Sequence, residues 1–190
     1  MRIWTMAALA VASSALTGAC SSDTDTASAV STTGVVTQAA DGPSEADVPA
    51  GSVRVSGAVE NPTTLSGDQL RAYPAQRQSV TFESGSGSQA HTYDGAALSD
   101  ILTSAALAGD IDAKNPDLTF AILATGTDGY QATVSFGELS PDFGRVVVLV
   151  AYTEDGQPLE KPRLIVPGDQ KGGRYVSGLT DLTIVDLRSN

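Results

Sequence analysis

The run Val146-Val147-Val148-Leu149-Val150-Ala151-Tyr152 is apolar at successive positions, so both faces of the strand it forms are apolar. Such a strand must be covered on both sides, which predicts a central place in a sheet. Glu154-Asp155-Gly156 follows with turn chemistry. Beyond it, Arg163-Leu164-Ile165-Val166 and Leu182-Thr183-Ile184-Val185 read as short strands separated by a glycine-rich loop. Upstream, Ser135-Phe136-Gly137-Glu138 has the spacing to cap one helical turn ahead of Pro141. Tyr130–Val134 and Leu118–Ala124 read as strands around the turn Gly126-Thr127-Asp128-Gly129. In that turn Asp128 is expected to accept backbone hydrogen bonds, Gly129 to take unusual backbone angles, and Tyr130 to pack inward.

Further towards the N-terminus, Leu98, Ile101, Leu102 and Ala105 recur at i, i+3, i+4, i+7 and predict one apolar helical stripe. Ser79–Glu83 and His91–Tyr93 read as two strands around the flexible tip Gly85-Ser86-Gly87-Ser88. Ser66-Gly67-Asp68-Gln69 has the spacing of a capping box and predicts a short helix carrying Leu70. Val53-Arg54-Val55-Ser56-Gly57-Ala58-Val59 alternates as a strand does, with Val53, Val55 and Gly57 on one side. Many short strands with few helices predict an α+β fold: a mixed, sheet-dominated single domain over residues 51–190. About 140 residues suffice for one core without metal or disulfide.

The chain opens differently. Arg2 precedes an apolar stretch from Ile3 to Ala12, and small residues lead to Leu16-Thr17-Gly18-Ala19-Cys20. A charged start, a short hydrophobic core and a small-residue end predict a signal peptide over residues 1–19. Its end resembles a bacterial lipobox, with Leu16 one place further from Cys20 than the usual pattern has it. Cys20, the sole cysteine, is expected to be lipidated, anchoring an exported protein at the outer face of the bacterial cytoplasmic membrane or elsewhere in the cell envelope. Residues 20–50 then read as a lipidated N-terminus and a disordered acidic tether. They are rich in Ser, Thr, Ala, Gly and Asp and carry no Lys, Arg or aromatic residue.

Across 190 residues, 22 Asp and Glu against 11 Lys and Arg give a formal charge of −11, which argues against nucleic acid as a partner. With Cys20 outside the domain, no thiolate remains inside it for nucleophilic, disulfide or sulfur–metal chemistry. His91, the one histidine, cannot build a multi-histidine metal site and reads as a strand histidine. Neither Asp110 and Asp112 nor Glu154 and Asp155 have the spacing of a calcium loop. The loop Pro167-Gly168-Asp169-Gln170-Lys171-Gly172-Gly173-Arg174-Tyr175 is the strongest site candidate. Its glycines free N–H groups to point at an anion, and Lys171 and Arg174 add positive charge. The alternative is a hairpin whose cations pair with nearby acids.

Several landmarks, in order, resemble the molybdopterin-binding domain of the sulfite oxidase type. They are Val55-Ser56-Gly57-Ala58-Val59-Glu60-Asn61-Pro62 with Leu65 and Leu70, the segment Tyr93–Leu102, and Asp128-Gly129-Tyr130. Gly156-Gln157-Pro158-Leu159, the run Pro162–Gly168, and Gly173-Arg174-Tyr175-Val176 complete the series. The resemblance implies that fold and a binding architecture for a pterin cofactor. In that family the glycine-rich loop approaches the cofactor, and a cysteine after the first helix binds molybdenum. The corresponding stretch here is Ser79-Val80-Thr81-Phe82-Glu83-Ser84-Gly85, without a cysteine. Ser84 or Glu83 supplies only a hard oxygen to a soft metal centre. Gly85–Gln89 is shorter than an enzyme's cofactor-facing loop, and the second, dimerisation domain of the full enzymes is lacking.

The resemblance and the loop chemistry together place a cofactor or ligand site at Ser84, His91, Arg163, Gly168, Lys171, Gly172, Gly173 and Arg174, with no catalytic or metal-binding residue assigned. The expected ligand is molybdopterin or a related anion, and an envelope protein is the expected macromolecular partner. The function implied is a membrane-anchored binding or interaction module without molybdenum redox catalysis. The alternative is a molybdopterin-dependent oxidoreductase with a non-cysteine ligand or one completed by a partner.

Overall fold

A computed structural model of the protein describes residues 48–109 and 114–188. The expected signal peptide, Cys20, most of the tether, Asp110 and Asp112 lie outside the described residues. Nine strands and three short α-helices follow one another. They are β1 (Val53–Gly57), β2 (Thr63–Leu65), α1 (Gly67–Ala72), β3 (Ala75–Ser84), β4 (Gly87–Ala97), α2 (Leu98–Ala105), β5 (Phe120–Gly126), β6 (Gln131–Ser135), α3 (Phe136–Leu139), β7 (Leu149–Glu154), β8 (Gln157–Ile165) and β9 (Leu179–Asp186). The strands form a five-stranded sheet ordered β2-β1-β9-β5-β6 and a four-stranded sheet ordered β3-β4-β7-β8. All pairings are antiparallel except β1 with β9, so the first sheet is mixed, as an α+β domain allows.

The opening stretch lands at the centre of its sheet, between β4 and β8, but starts later than its apolar composition implies. Val146 donates its N–H to the Glu138 carbonyl, and Val147 stays 38% exposed, so the strand begins at Leu149. The α2 stripe forms as its spacing predicts, with Leu98, Ile101, Leu102 and Ala105 buried. Both capping boxes are present, Ser66 with Gln69 on α1 and Ser135 with Glu138 on α3, each satisfying free N–H groups at a helix start. Leu70 is fully buried, and Leu→Ala there removes contacts worth about 2–5 kcal/mol.

Four expectations need correction. The hairpin strands are longer than Ser79–Glu83 and His91–Tyr93, because ladder bonds carry polar Gln76, Gln78 and Gln89 into the sheet; the tip shrinks to Gly85-Ser86. The strand expected from Leu118 begins at Phe120, since Pro116 opens a 3-10 turn over Pro116–Thr119. Tyr130 does not pack inward but is 48% exposed. Gly57 does not share the buried side of Val53 and Val55: it ends β1 with φ +89°, and a Cβ there would lie 2.1 Å from the Ile184 carbonyl oxygen. Only glycine permits that approach. β2, three residues after Pro62, is too short to show a period in the sequence.

One cluster of buried apolar side chains draws on both sheets and on α1, α2 and α3. Among the described residues no helix is long and apolar enough to cross a membrane.

Candidate functional site

The loop between β8 and β9 reaches the end of the β3–β4 hairpin. Glu83 donates its N–H to the Gln170 carbonyl at 2.8 Å, and Glu83 and Lys171 form a parallel bridge. That bridge sets Lys171, Gly172 and Gly173 beside Phe82, Glu83, Ser84 and Gly85 around an open cleft of about 540 Å³. Gly172 is required there, because a Cβ would come within 2.8 Å of the Phe82 ring. Gly168 opens the loop at φ +93°. Ser84 does not aim its hydroxyl into the cleft: Oγ donates to the Gly87 carbonyl at 3.0 Å and accepts from Ser86 N–H at 3.1 Å, closing the hairpin turn.

Arg174 stands on a short 3-10 turn, Gly172–Arg174, and turns away from Lys171 in role. Its Nε and one terminal nitrogen donate to both Asp169 oxygens at 2.9 and 2.7 Å, and the other terminal nitrogen donates to Glu138 at 3.0 and 3.1 Å. The bonds to Asp169, then those to Glu138, hold the guanidinium proton well above its ordinary range. Glu138 is also the N3 residue of the α3 capping box, so this ion pair fastens the loop to a helix start. Tyr130 adds a second tie, donating its hydroxyl to the Gly173 carbonyl. Lys171 makes no ion pair among the described residues.

His91 and Arg163 meet elsewhere, in a network between β4, β7 and β8. Arg163 donates to both Glu154 oxygens at 3.1 and 3.2 Å, to the Tyr93 hydroxyl at 3.2 Å and to Ser177 Oγ at 2.6 Å. Tyr93 donates its own hydroxyl to Glu154 at 2.8 Å. Burial first, and that bond second, push the phenol up to about 12. His91 Nδ1 lies 2.8 Å from Asp155 Oδ2 and 3.4 Å from Glu154. A carboxylate only accepts, so Nδ1 carries the proton. Asp155 also accepts from Thr92 N–H, and that bond ahead of the one from His91 lowers its carboxyl below the usual range.

Rings connect the two regions. Tyr175 packs on Phe82 with centroids 4.6 Å apart, Phe82 lies 6.2 Å from His91, and His91 6.0 Å from Tyr93. Tyr175 is 8% exposed, and its hydroxyl has no hydrogen-bond partner among the described residues. Burial raises its phenol, and the charge of Asp169 adds to that.

The sequence-expected residues therefore separate into groups. Ser84, Lys171, Gly172 and Gly173 share the cleft; His91 and Arg163 share the Glu154 network; Gly168 and Arg174 shape and fasten the loop. Sequence reasoning gave Glu138, Glu154 and Phe82 no place at the site, since their roles there depend on partners 36, 63 and 9 residues away and on loops meeting at a sheet edge. Among the described residues no three His, Cys, Asp or Glu side chains converge to hold a metal ion.

No curated protein sequence matches the chain. Among solved structures it is similar to the sulfane dehydrogenase SoxCD from Paracoccus pantotrophus, at TM-score 0.57 and 19% identity. The alignment covers 71% of this chain and 38% of that one, so the likeness is of fold, over well under half of the larger protein. Residues 40–190 match the family described as the oxidoreductase molybdopterin binding domain. The two-sheet architecture, the glycine loop set against a hairpin end, and a match over most of the chain agree: the protein belongs to the oxidoreductase molybdopterin binding domain family.

Proposed function

We propose that the chain is an exported lipoprotein, anchored through Cys20, whose molybdopterin-binding-type domain serves as a binding or interaction module and not as a molybdenum redox centre. The observation that carries this reading is the donor set at the cleft. Molybdenum held by dithiolene sulfurs prefers a soft thiolate as protein ligand to a hard oxygen, and the domain contains no cysteine. Where the family places one, this chain has the stretch Ser79–Gly85, in which the Ser84 hydroxyl is engaged within its own turn. The residues present therefore do not fit the molybdenum form of the cofactor.

Charge supports the same reading. Each arginine among the described residues is engaged by a carboxylate or, for Arg145, by the Pro141 carbonyl. At the cleft Lys171 offers positive charge without an ion partner among the described residues, beside the Phe82 ring and the Gly172–Gly173 backbone. One cation, one aromatic face and backbone donors suit a small, planar, singly charged anion of pterin type better than a large polyanion.

The decisive measurement is metal content after production in cells that make the cofactor. Molybdenum well below one per chain is the expected result; about one per chain, with turnover of an electron acceptor, overturns the proposal. The second reading, an oxidoreductase with a non-cysteine ligand or one completed by a partner protein, is favoured by the family match and wins in that case. Palmitate labelling tests the anchor: it should vanish in Cys20→Ala, and equal labelling of both proteins removes the membrane from the proposal.

A further inference from the structure

Four strands form the edges of the two sheets, and three are guarded. β2 has three residues and β6 five, too short to template a partner strand. β8 carries Pro158, Glu160, Lys161 and Pro162, and its Leu164 N–H is taken by the Val176 carbonyl. Prolines, charges and short length are the usual defences of an edge. β3 is the least guarded: ten residues pair with β4 in unbroken register, without proline or bulge, and its only charges are Arg77, paired with Asp94 of β4, and Glu83 at its end.

The open part of β3 has defined ends. Glu83 sends its N–H away from β4 to Gln170, so by the period of two Ala75, Arg77, Ser79 and Thr81 turn their backbone groups to the same outer side. No backbone hydrogen bond reaches those four positions from that side among the described residues. Helix α1, which ends at Ala72, bounds the run before it, and the Glu83–Lys171 bridge bounds it after.

We propose that two copies of the chain pair antiparallel through β3 about a two-fold axis at Gln78, joining two four-stranded sheets into one of eight. The open run is symmetric about Gln78: Ala75 falls opposite Thr81 and Arg77 opposite Ser79 of the second copy, so every open group finds a partner. Even positions meet even positions, which keeps the row of half-buried Gln76 and Gln78 and buried Val80 on one face and the solvent row on the other. Arg77, the run's one charged side chain, meets a serine and not a second arginine, and Asp94 already balances it at 2.6 Å. This symmetry favours a second copy over an unrelated extended segment.

The test uses the full chain carrying Cys20→Ser, which leaves no other thiol. At the axis, opposed Gln78 positions form a non-hydrogen-bonded pair with Cα atoms about 4.5 Å apart, inside disulfide range. Gln78→Cys should therefore cross-link under mild oxidation roughly tenfold faster than a control cysteine at exposed Thr103. By sedimentation the parent should be a dimer at micromolar concentration. Ser79→Pro and Thr81→Lys, which spare the backbone bonds to β4 and cost only the exposed Ser79–Thr92 hydroxyl contact in the first, should be monomers that still unfold cooperatively within a few degrees (~3 °C) of the parent. A parent that stays monomeric overturns the proposal, and an extended peptide that then binds the edge reassigns it. Dimers that survive both substitutions, or cross-linking at the control rate, overturn it equally.

Discussion

The Arg163 network and the loop from Gly168 to Tyr175 lie on one side of the four-stranded sheet and are built from the same residue types, yet they differ in how completely those groups are satisfied. Around Arg163, the guanidinium, Glu154, the Tyr93 hydroxyl, His91 and Asp155 each bond at least one other member. In the loop, Arg174 is engaged twice over, while Lys171 has no ion partner and the Tyr175 hydroxyl no hydrogen-bond partner among the described residues. A closed network holds strands together and has little left to offer a ligand. On the proposed reading, capacity for binding lies at the Lys171 end of the loop, where a charge has no ion partner among the described residues.

The sharpest test of that division is Arg174→Ala. It leaves Asp169 and Glu138, both part-buried, without their shared cation, and should cost about 2–3 kcal/mol, or roughly 5–10 °C in melting temperature. Arg174→Lys should fall between, since an ammonium cannot bond both carboxylates in the fork geometry. An unchanged melting temperature for Arg174→Ala would mean that the loop is held by other contacts and that its arginine is available to a ligand after all.

Tyr93→Phe probes the closed network, and should cost about 1–2 kcal/mol at neutral pH through the lost bonds to Glu154 and Arg163. It also has a pH signature. The folded phenol is raised from 10.0 to about 12, so the unfolded chain loses its proton first as pH rises. The contribution is fully present below pH 10 and is lost between about 10 and 12, on the order of 2 kcal/mol. Alkaline unfolding curves of the wild type and Tyr93→Phe should converge across that window. Parallel curves would show that Tyr93 titrates normally and that its bonds do not form.

Which parts of this were legible in the sequence follows from distance along the chain. The α2 stripe and both capping boxes are local patterns, closed within seven residues or fewer, and they appear where the spacing put them. Strand ends were misjudged where pairing overrode composition: Gln76 and Gln78 join β3 through the ladder, whereas apolar Val146–Val148 has no ladder to join. The glycine loop was recognisable from its residue types, but its orientation was not. Lys171 and Arg174 look equivalent in sequence, and what separates them is that Arg174 is clamped by Asp169 within the loop and by Glu138 on α3, 36 residues upstream. Likewise His91 reads as a lone strand histidine until a turn 64 residues later brings Asp155 to it.

Tyr175→Phe inverts the Tyr93 experiment. The same atom is removed, but from a buried hydroxyl with no hydrogen-bond partner among the described residues, so the change should be neutral or gain up to about 1 kcal/mol. A measured loss comparable to that of Tyr93→Phe would reveal a bonding partner, either a trapped water or a bound molecule, at the back of the Phe82 contact.

The smallest effect on stability belongs to Lys171→Ala. An exposed lysine without an ion partner should change unfolding by less than about 0.5 kcal/mol. Its consequence should appear instead in binding. A small anionic pterin that raises the melting temperature of the parent does so only by preferring the native state, and the shift should shrink when the cleft's one free cation is gone. Arg174→Lys, which disturbs the loop but leaves Lys171 in place, should retain most of that shift once corrected for its own lower stability. The reverse pattern, binding lost with Arg174 and kept without Lys171, would move the ligand to the clamped half of the loop, where it would have to displace Asp169 or Glu138 to be held.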